Sequence, residues 1–410
     1  AHYTYDDSDQ LIRTNDSFAN YTSSYEYDNR GNMLSKKLYN YTTGDLGTAV
    51  PTETTTFTYA NSGWKDQLTA VNGTALTYDE NGNLLTYGDK TFSWCHGTRL
   101  ESITDSENTY SYVYDENGTR FSKTVNGTTT QFNYVGGLLL SQKTGEDIIF
   151  FQYGAGGVPL GFVYNGTQYF YVTNQLGDVL GITDDTGDAF VMYSYDEWGN
   201  PIQTVTRDNT EEQNKIAQLN PLRYRGYYYD AETGYYYLQS RYYNPKWGRF
   251  ISPDSFDYID NTTQLGCNAY IYCINSPLIY VDPLGFSKEY SLSKGWKYRI
   301  DPQNSSKGEQ RHIHVWKNGD EYSQNDDGSP HKGGGSPPNS VKEELKEKAG
   351  WDWDAKEKSY RDNQLKFNFD FDFSLDFTQV GDIVVFALVV GFVIFAIWFV
   401  LPFLLTFAIA

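Results

Sequence analysis

His312, His314 and His331 are three of the chain's five histidines, and they fall in one short segment. His312 and His314 are two residues apart, so in a strand they share a face. Arg311 and Lys317 lie close by in sequence. Two imidazoles and a cation suit metal-free RNA cleavage. One imidazole takes the 2′-OH proton, the other protonates the leaving oxygen, and Arg or Lys steadies the charge on the phosphorane. His-x-His also suits a metal, with Asp326, Asp327 or His331 adding ligands, and an exposed strand with its polar residues outward is the plain alternative. The expectation carried forward is a metal-independent ribonuclease. His312, His314, His331, Arg311 and Lys317 are its catalytic groups, with no cofactor and no metal.

A small α+β module would have to hold these groups. "WKYRI" (296–300) reads as a strand. "RHIHVWKNGDEYSQ" (311–324) reads as a hairpin turning at Asn318-Gly319. "SVKEELKEKAG" (340–350) reads as a helix with a Ser340/Glu343 capping box, stopped by Gly350. Beyond it, "KFNFDFDFSLDF" (366–377) alternates like an amphipathic strand. The 28 residues from Ile383 to Ala410 carry no charge. About 20 apolar residues suffice to cross a bilayer, so this run predicts a transmembrane-type helix, with a kink at Pro402.

The rest of the chain has a different chemistry. Residues 1–286 carry 17 Lys and Arg against 34 Asp and Glu, whereas residues 287–362 carry 14 of each. So acidic a body is a poor match for nucleic acid, and the neutral segment is not. Tyr contributes 37 residues and Gly another 37. Many of the glycines stand in Asn-Gly and Gly-Asn turn contexts. Cys95, Cys267 and Cys273 are too few, and odd in number, for a disulfide framework. The opening "AHYTYDDSDQL" begins in mid-pattern and reads as a piece of something longer.

That pattern is a repeat. "YTYDDSDQLI" (3–12), "YEYDNRGNML" (25–34), "LTYDENGNLL" (76–85), "YVYDENGTRF" (112–121) and "YSYDEWGNPI" (193–202) are variants of one unit. Each is a short alternating strand, an Asp, a turn that contains Gly in all but the first, and a second strand. Such a hairpin cannot bury its own apolar face, so copies must stack into a continuous sheet that spirals or closes. The tyrosines are expected to pack as cross-strand ladders within it.

The Tyr-Asp-x-x-Gly-Asn unit resembles the YD repeat of RHS and teneurin-like proteins. "PLRYRGYYYDAETGYYYLQSRYYNPKWGRFISPD" (221–254) resembles the RHS-associated core that closes such repeats. The resemblance implies a mainly β fold, a spiralling shell of YD hairpins that encloses a C-terminal toxin until delivery. It also implies that two Asp-Pro-x-Gly aspartates act as an aspartyl protease on their own chain. One carboxyl stays protonated as the acid while the other activates water. Asp282-Pro283-Leu284-Gly285-Phe286 keeps the second motif, which places the cut between Phe286 and Ser287. The first motif departs from the pattern. Asp254-Ser255-Phe256-Asp257 stands there, with Asp254 the aligned partner and Asp257 the fallback, and the spacing to Asp282 is longer than in the family.

The expected organisation is therefore a YD-repeat shell (1–220), an RHS-associated core (221–286), the α+β effector (287–362), an aromatic and acidic connector (363–382) and the apolar helix (383–410). Expected partners are a cognate immunity protein, RNA, a membrane reached through 383–410, and a secretion apparatus engaged by parts beyond this sequence. The expected location is secreted or at a bacterial cell surface. The alternatives are a membrane-inserting or pore-forming effector, in which residues 383–410 act and 287–354 is a plug or adaptor, and a non-enzymatic cell-surface repeat protein anchored by its C-terminal helix.

Overall fold

The Tyr-Asp segments of the repeat units make one kind of turn for one reason. In the computed structural model, Asp28 Oδ1 accepts the backbone N–H groups of Arg30 (2.8 Å) and Asn32 (2.9 Å). The Asp28 N–H donates to the Asn32 carbonyl, and Gly31 closes the loop on Asp28 with φ at +74°. One short carboxylate thus satisfies two backbone donors, and glycine takes the left-handed position at no steric cost. Asp6, Asp79, Asp115 and Asp196 repeat the arrangement. Asn174 does so where the aspartate is replaced. The tyrosine before each turn marks a one-residue slip of the ladder, at Tyr5, Tyr27, Tyr78, Tyr114 and Tyr195. Its hydroxyl reaches back to an earlier carbonyl: Tyr27 to Leu11 (2.8 Å), Tyr114 to Leu100 (2.7 Å), Tyr195 to Val179 (2.8 Å). The ring packs and the hydroxyl is satisfied, so one residue serves both purposes.

The structure describes residues 1–364 except 136, 155–156, 207–209, 255–264, 283–284, 286–289, 302–311, 318–319 and 332–334. Asp257, Phe286, Ser287, Arg311, the Asn318-Gly319 turn, nearly all of the 363–382 connector and the whole 383–410 run lie outside the described residues. Among those described, no helix is long and apolar enough to cross a membrane. The described residues from Ala1 to Glu357 belong to one compact unit.

Among the described residues, twenty strands from His2–Tyr5 to Pro201–Thr206 form one large sheet, each antiparallel to the next. A helix that the sequence reading did not anticipate, α1 (Glu211–Leu219), follows the last of them. It opens with a Thr210/Gln213 capping box and buries Ile216. Then comes a four-stranded sheet of very short strands, Tyr228–Asp230, Tyr235–Tyr237, Tyr242–Asn244 and Arg249–Phe250, almost wholly buried. This core block is fastened to the turns of the repeats. Tyr270 OH donates to Gly82 O, Tyr236 OH to Gly199 O, Tyr243 OH to Trp198 O and Asn275 Nδ2 to Gly31 O, all at 2.7–2.8 Å. A buried ion network adds a second fastening. Asp230 accepts from Arg120 (2.6 Å) and Lys123 (2.8 Å), and Arg120 lies among five aromatic rings at 4.3–5.8 Å.

The C-terminal segment has its own buried cluster of Leu292, Tyr298, Ile313, Val315, Val341, Leu345, Trp351 and Trp353. Its sheet runs Tyr290–Ser291, Lys297–Asp301, His312–Lys317, Asp320–Asn325, all antiparallel neighbours. The expected helix is α2 (Asn339–Ala349), ended by Gly350 in the left-handed conformation. The expected capping box is absent. The N-cap is Pro338, two residues earlier, Ser340 falls inside the first turn, and the Pro338 carbonyl takes the N–H groups of Val341 and Lys342. A further helix, α3 (Trp353–Gln364), follows at once.

Candidate functional site

Two polar clusters stand apart from the repeat chemistry. The first is built from four separate stretches of the core block. Arg241, in the middle of "QSRYYN", is buried and stacks its guanidinium on Phe250 with the ring centroid at 3.6 Å. Its Nη2 lies 3.0 Å from Asp254 Oδ2 and 3.5 Å from Asp282 Oδ2. The two carboxylate oxygens are thus no further apart than these two legs laid end to end. Arg241 Nη1 donates to Ala269 O (3.1 Å), and Nε donates to the carbonyl of Gly285. Asp282 is pinned from behind, its N–H donating to Tyr227 OH at 3.1 Å. Asp254 is held by its own N–H on Ala269 O at 2.8 Å.

Gly285 has φ +74°, and a Cβ there would overlap Ser240 Oγ and stand 3.1 Å from the Leu238 carbonyl. The glycine of the Asp-Pro-x-Gly stretch therefore lets the chain lie against Arg241. A small pocket lined by Arg241, Asp254, Ala269 and Asp282 leaves about 30 Å³ for the centre of a water molecule, enough for a water or two. The structure thus brings Asp254 and Asp282 together. Asp257, Phe286 and Ser287 lie outside the described residues. Arg249, the other cation that could have paired with either carboxylate, instead reaches Tyr59 OH (2.7 Å) and the Asp66 carbonyl. Arg241 is the residue that sequence reading missed as a site, although it stood inside a motif already recognised.

The second cluster is local. His312 and His314 sit on one strand, facing away from Ile313 and Val315, which go into the small core. After Asp320–Asn325 the chain turns at Gly328 and returns as Pro330-His331, with Pro330 bridged to Gln324. That return carries His331 onto the other two. The His312 and His331 rings stack at 3.6 Å and 15°, and His314 stands edge-on to both at 5.1 and 5.5 Å. One ring nitrogen from each lies within 4.8 Å of the others. Two neighbours orient the rings. Glu321 Oε1 is 2.9 Å from His314 Nδ1, and Asn325 Oδ1 is 3.0 Å from His331 Nδ1. A carboxylate cannot donate, so His314 Nδ1 carries a proton, and in the neutral ring Nε2 then holds the lone pair. Lys317 is out of phase with the histidines and donates Nζ to the Lys294 carbonyl (2.6 Å). Arg311 lies outside the described residues. Glu321 and Asn325 were missed, although both lie on the strand that pairs with the histidine strand, Asn325 directly opposite His312.

The teneurin YD-shell family model matches residues 1–278. The chain is 39% identical over 227 residues to the tRNA3(Ser)-specific nuclease WapA of Bacillus spizizenii, covering 54% of this chain and 9% of that one. It is 34% identical over 116 residues to the toxin protein Tse5 of Pseudomonas aeruginosa, 28% of this chain and 8% of that one. It thus spans less than a tenth of the length of these two curated relatives. The Photorhabdus luminescens Tc holotoxin pore matches in structure over 69% of this chain and 15% of its own, with a TM-score of 0.55 at 21% identity. The crystal structure of TcdB2-TccC3-Cdc42 matches with a TM-score of 0.53 over the same shares. At that identity the likeness is one of fold.

Proposed function

The chain belongs to the teneurin YD-shell family, among the RHS/YD-repeat proteins, and on that premise we propose that it is a piece of a polymorphic toxin. Its β-shell encloses a C-terminal effector, and its core cuts the chain after Phe286 to release it. The observation that carries this reading is the meeting of Asp254 and Asp282 at one guanidinium, with the Gly285 carbonyl, one residue before the cut, held by the same arginine. Two carboxylates and one guanidinium leave one excess negative charge in a buried place. A single proton shared by the carboxylates removes it. That is the charge state an aspartyl dyad needs. The ionised carboxylate takes a proton from water, the water oxygen adds to the Phe286 carbonyl carbon, and the protonated carboxyl stabilises the resulting oxyanion. Collapse breaks the C–N bond, with the proton passing to the Ser287 amine.

The released effector acts on RNA by general acid–base catalysis at His312, His314 and His331. Support comes from the three clustered imidazoles, from Glu321 orienting the His314 ring, and from the likeness to WapA, a tRNA nuclease. A toxin of this kind implies a cognate immunity protein and a delivery apparatus. The test of the whole reading is mass spectrometry of the purified chain. A break between Phe286 and Ser287 is expected, absent in Asp282→Asn, with both fragments eluting together under native conditions. Intact mass after prolonged incubation sinks the release mechanism.

A further inference from the structure

We propose that His312, His314 and His331 form a binding site for a borderline divalent transition metal such as Zn²⁺, and that its occupation switches the effector off. The ligand chemistry is specific. Three imidazoles with no carboxylate among them suit Zn²⁺, Ni²⁺ or Cu²⁺, whereas Mg²⁺ and Ca²⁺ take oxygen ligands. The site is built rather than incidental. His312 and His314 are 3% and 6% exposed. They project from one strand at the two-residue spacing that puts both on one face, and a separate turn brings the third ring to them.

The supporting residues fit as well. The Nδ1 atoms of His314 and His331 are engaged by Glu321 and Asn325. With Nδ1 donating, each ring presents the Nε2 lone pair, the arrangement that oxygen acceptors behind a metal-binding histidine enforce.

The distances say what must move. Nitrogens bound to one tetrahedral Zn²⁺ lie about 3.3 Å apart, given Zn–N bonds of about 2.0 Å. Here the three candidate atoms lie within 4.8 Å of one another, so closing on an ion takes shifts of about 1–2 Å. His312 and His331 stack face to face at 15°, and an ion shared by two rings lies near the plane of each. Capture therefore turns one of the stacked rings about its side-chain bonds. Among the described residues three protein ligands converge, which leaves the fourth tetrahedral corner for a water or another ligand.

A lone pair bound to a metal ion cannot accept a proton. The imidazoles that hold Zn²⁺ are those that the acid–base reading needs, so metal and catalysis exclude one another. This inhibitory half rests on the ribonuclease reading; the binding half does not.

The experiment is a titration of the whole chain with zinc sulfate, followed by calorimetry and by metal analysis after dialysis, with an RNA-cleavage assay on the same samples. Expected are one Zn²⁺ per chain with micromolar or tighter affinity, no Mg²⁺ competition, and loss of stoichiometric binding in His314→Ala and His331→Ala. His2→Ala and His96→Ala, which change the two exposed shell histidines, should bind as the parent does. Glu321→Gln should weaken binding by about 10–100-fold. Co²⁺ should give the visible absorption of a four-coordinate nitrogen site, a readout independent of activity. Absence of saturable Zn²⁺ binding by the unmodified chain overturns the proposal, whatever the variants do. Binding that survives both histidine changes, or that is lost in His96→Ala, also overturns it. Zinc bound at the trio in a protein that never cleaves RNA supports the site and refutes the ribonuclease reading.

Discussion

The Arg241 cluster and the histidine cluster are both buried and polar, yet they depend on the chain in different ways. The first draws on Arg241, Asp254, Ala269, Asp282 and Gly285, residues that the fold of the core block gathers from four separate stretches. The second is contained between His312 and His331, on one hairpin and the turn that follows it. The Arg241, Asp254 and Asp282 side chains of the first are only 5–8% exposed, while the Glu321 side chain behind the second is 60% exposed. A cluster assembled from distant segments reports on the whole fold. A cluster on one hairpin reports on itself, and can be altered without disturbing the rest. The core cluster should therefore couple chemistry to stability, and the histidine cluster should not.

The sharpest way to break this contrast is Arg241→Ala. It removes the counter-charge from two buried carboxylates, the most costly kind of single deletion, at about 3–5 kcal/mol. The expected outcome is loss of self-cleavage together with a fall in the thermal midpoint of the shell. Lost cleavage with an unchanged melt would make Arg241 a purely catalytic group and end the argument from assembly. His314→Ala is the counterpart. RNA cleavage should slow by about 10²–10⁴-fold, the usual worth of a general acid or base, while self-cleavage and the melting of the shell stay as they were.

The same contrast explains what the sequence disclosed. The hairpin units, the core block and the Asp-Pro-Leu-Gly stretch were legible because each is local: Asp caps its own turn, Gly takes the positive φ, and two-residue spacing puts His312 and His314 on one face. Arg241 was not singled out, because no local rule tells an arginine that bridges distant carboxylates from one such as Arg249, which lies nearby in sequence in the same core block. The partners of Arg249, Tyr59 and Asp66, are more than 180 residues away in sequence. α1 could have been read. Thr210 and Gln213 are spaced as a capping box, a signal that was recognised at Ser340 and Glu343, where the structure does not use it. The difference is two residues of N-cap position, Pro338 in place of Ser340, which a spacing rule does not decide.

A smaller effect tests the fastening of the core block. Asp230 is fully buried. Burial alone would raise its pKa, but Arg120 and Lys123 outweigh it and hold the carboxyl below its usual range. A depressed folded-state pKa gives stability that is fully present above the unfolded value, near 4, and is lost as pH falls through the folded one. Shell melting should thus be level on this account from neutral pH to about 5 and fall below about 4. Asp230→Asn should lower the neutral-pH midpoint and flatten that acid slope. A variant with the parent's slope would mean that other carboxylates carry the acid response.

The smallest change separates orientation from packing in the histidine cluster. Glu321 is mostly exposed, so Glu321→Gln costs the fold little, since exposed polar substitutions are usually within about 0.5 kcal/mol. What it alters is the partner of His314 Nδ1. The carboxylate can only accept, so it keeps the Nδ1 proton in place; an amide can present either its oxygen or its N–H₂ and no longer enforces that tautomer. If orientation is what Glu321 supplies, RNA cleavage should fall by about 10-fold with an unchanged melt and unchanged substrate affinity. Glu321→Asp should fall further, because its carboxylate stops one methylene short of the ring. The His314 imidazole resonances should report the change directly, with the neutral ring shifting from the Nδ1–H tautomer toward a mixture in Glu321→Gln. Full activity in both variants, with the tautomer unmoved, would leave Glu321 as a surface ion-pair partner only, and His314 would then owe its orientation to the strand and to His331 alone.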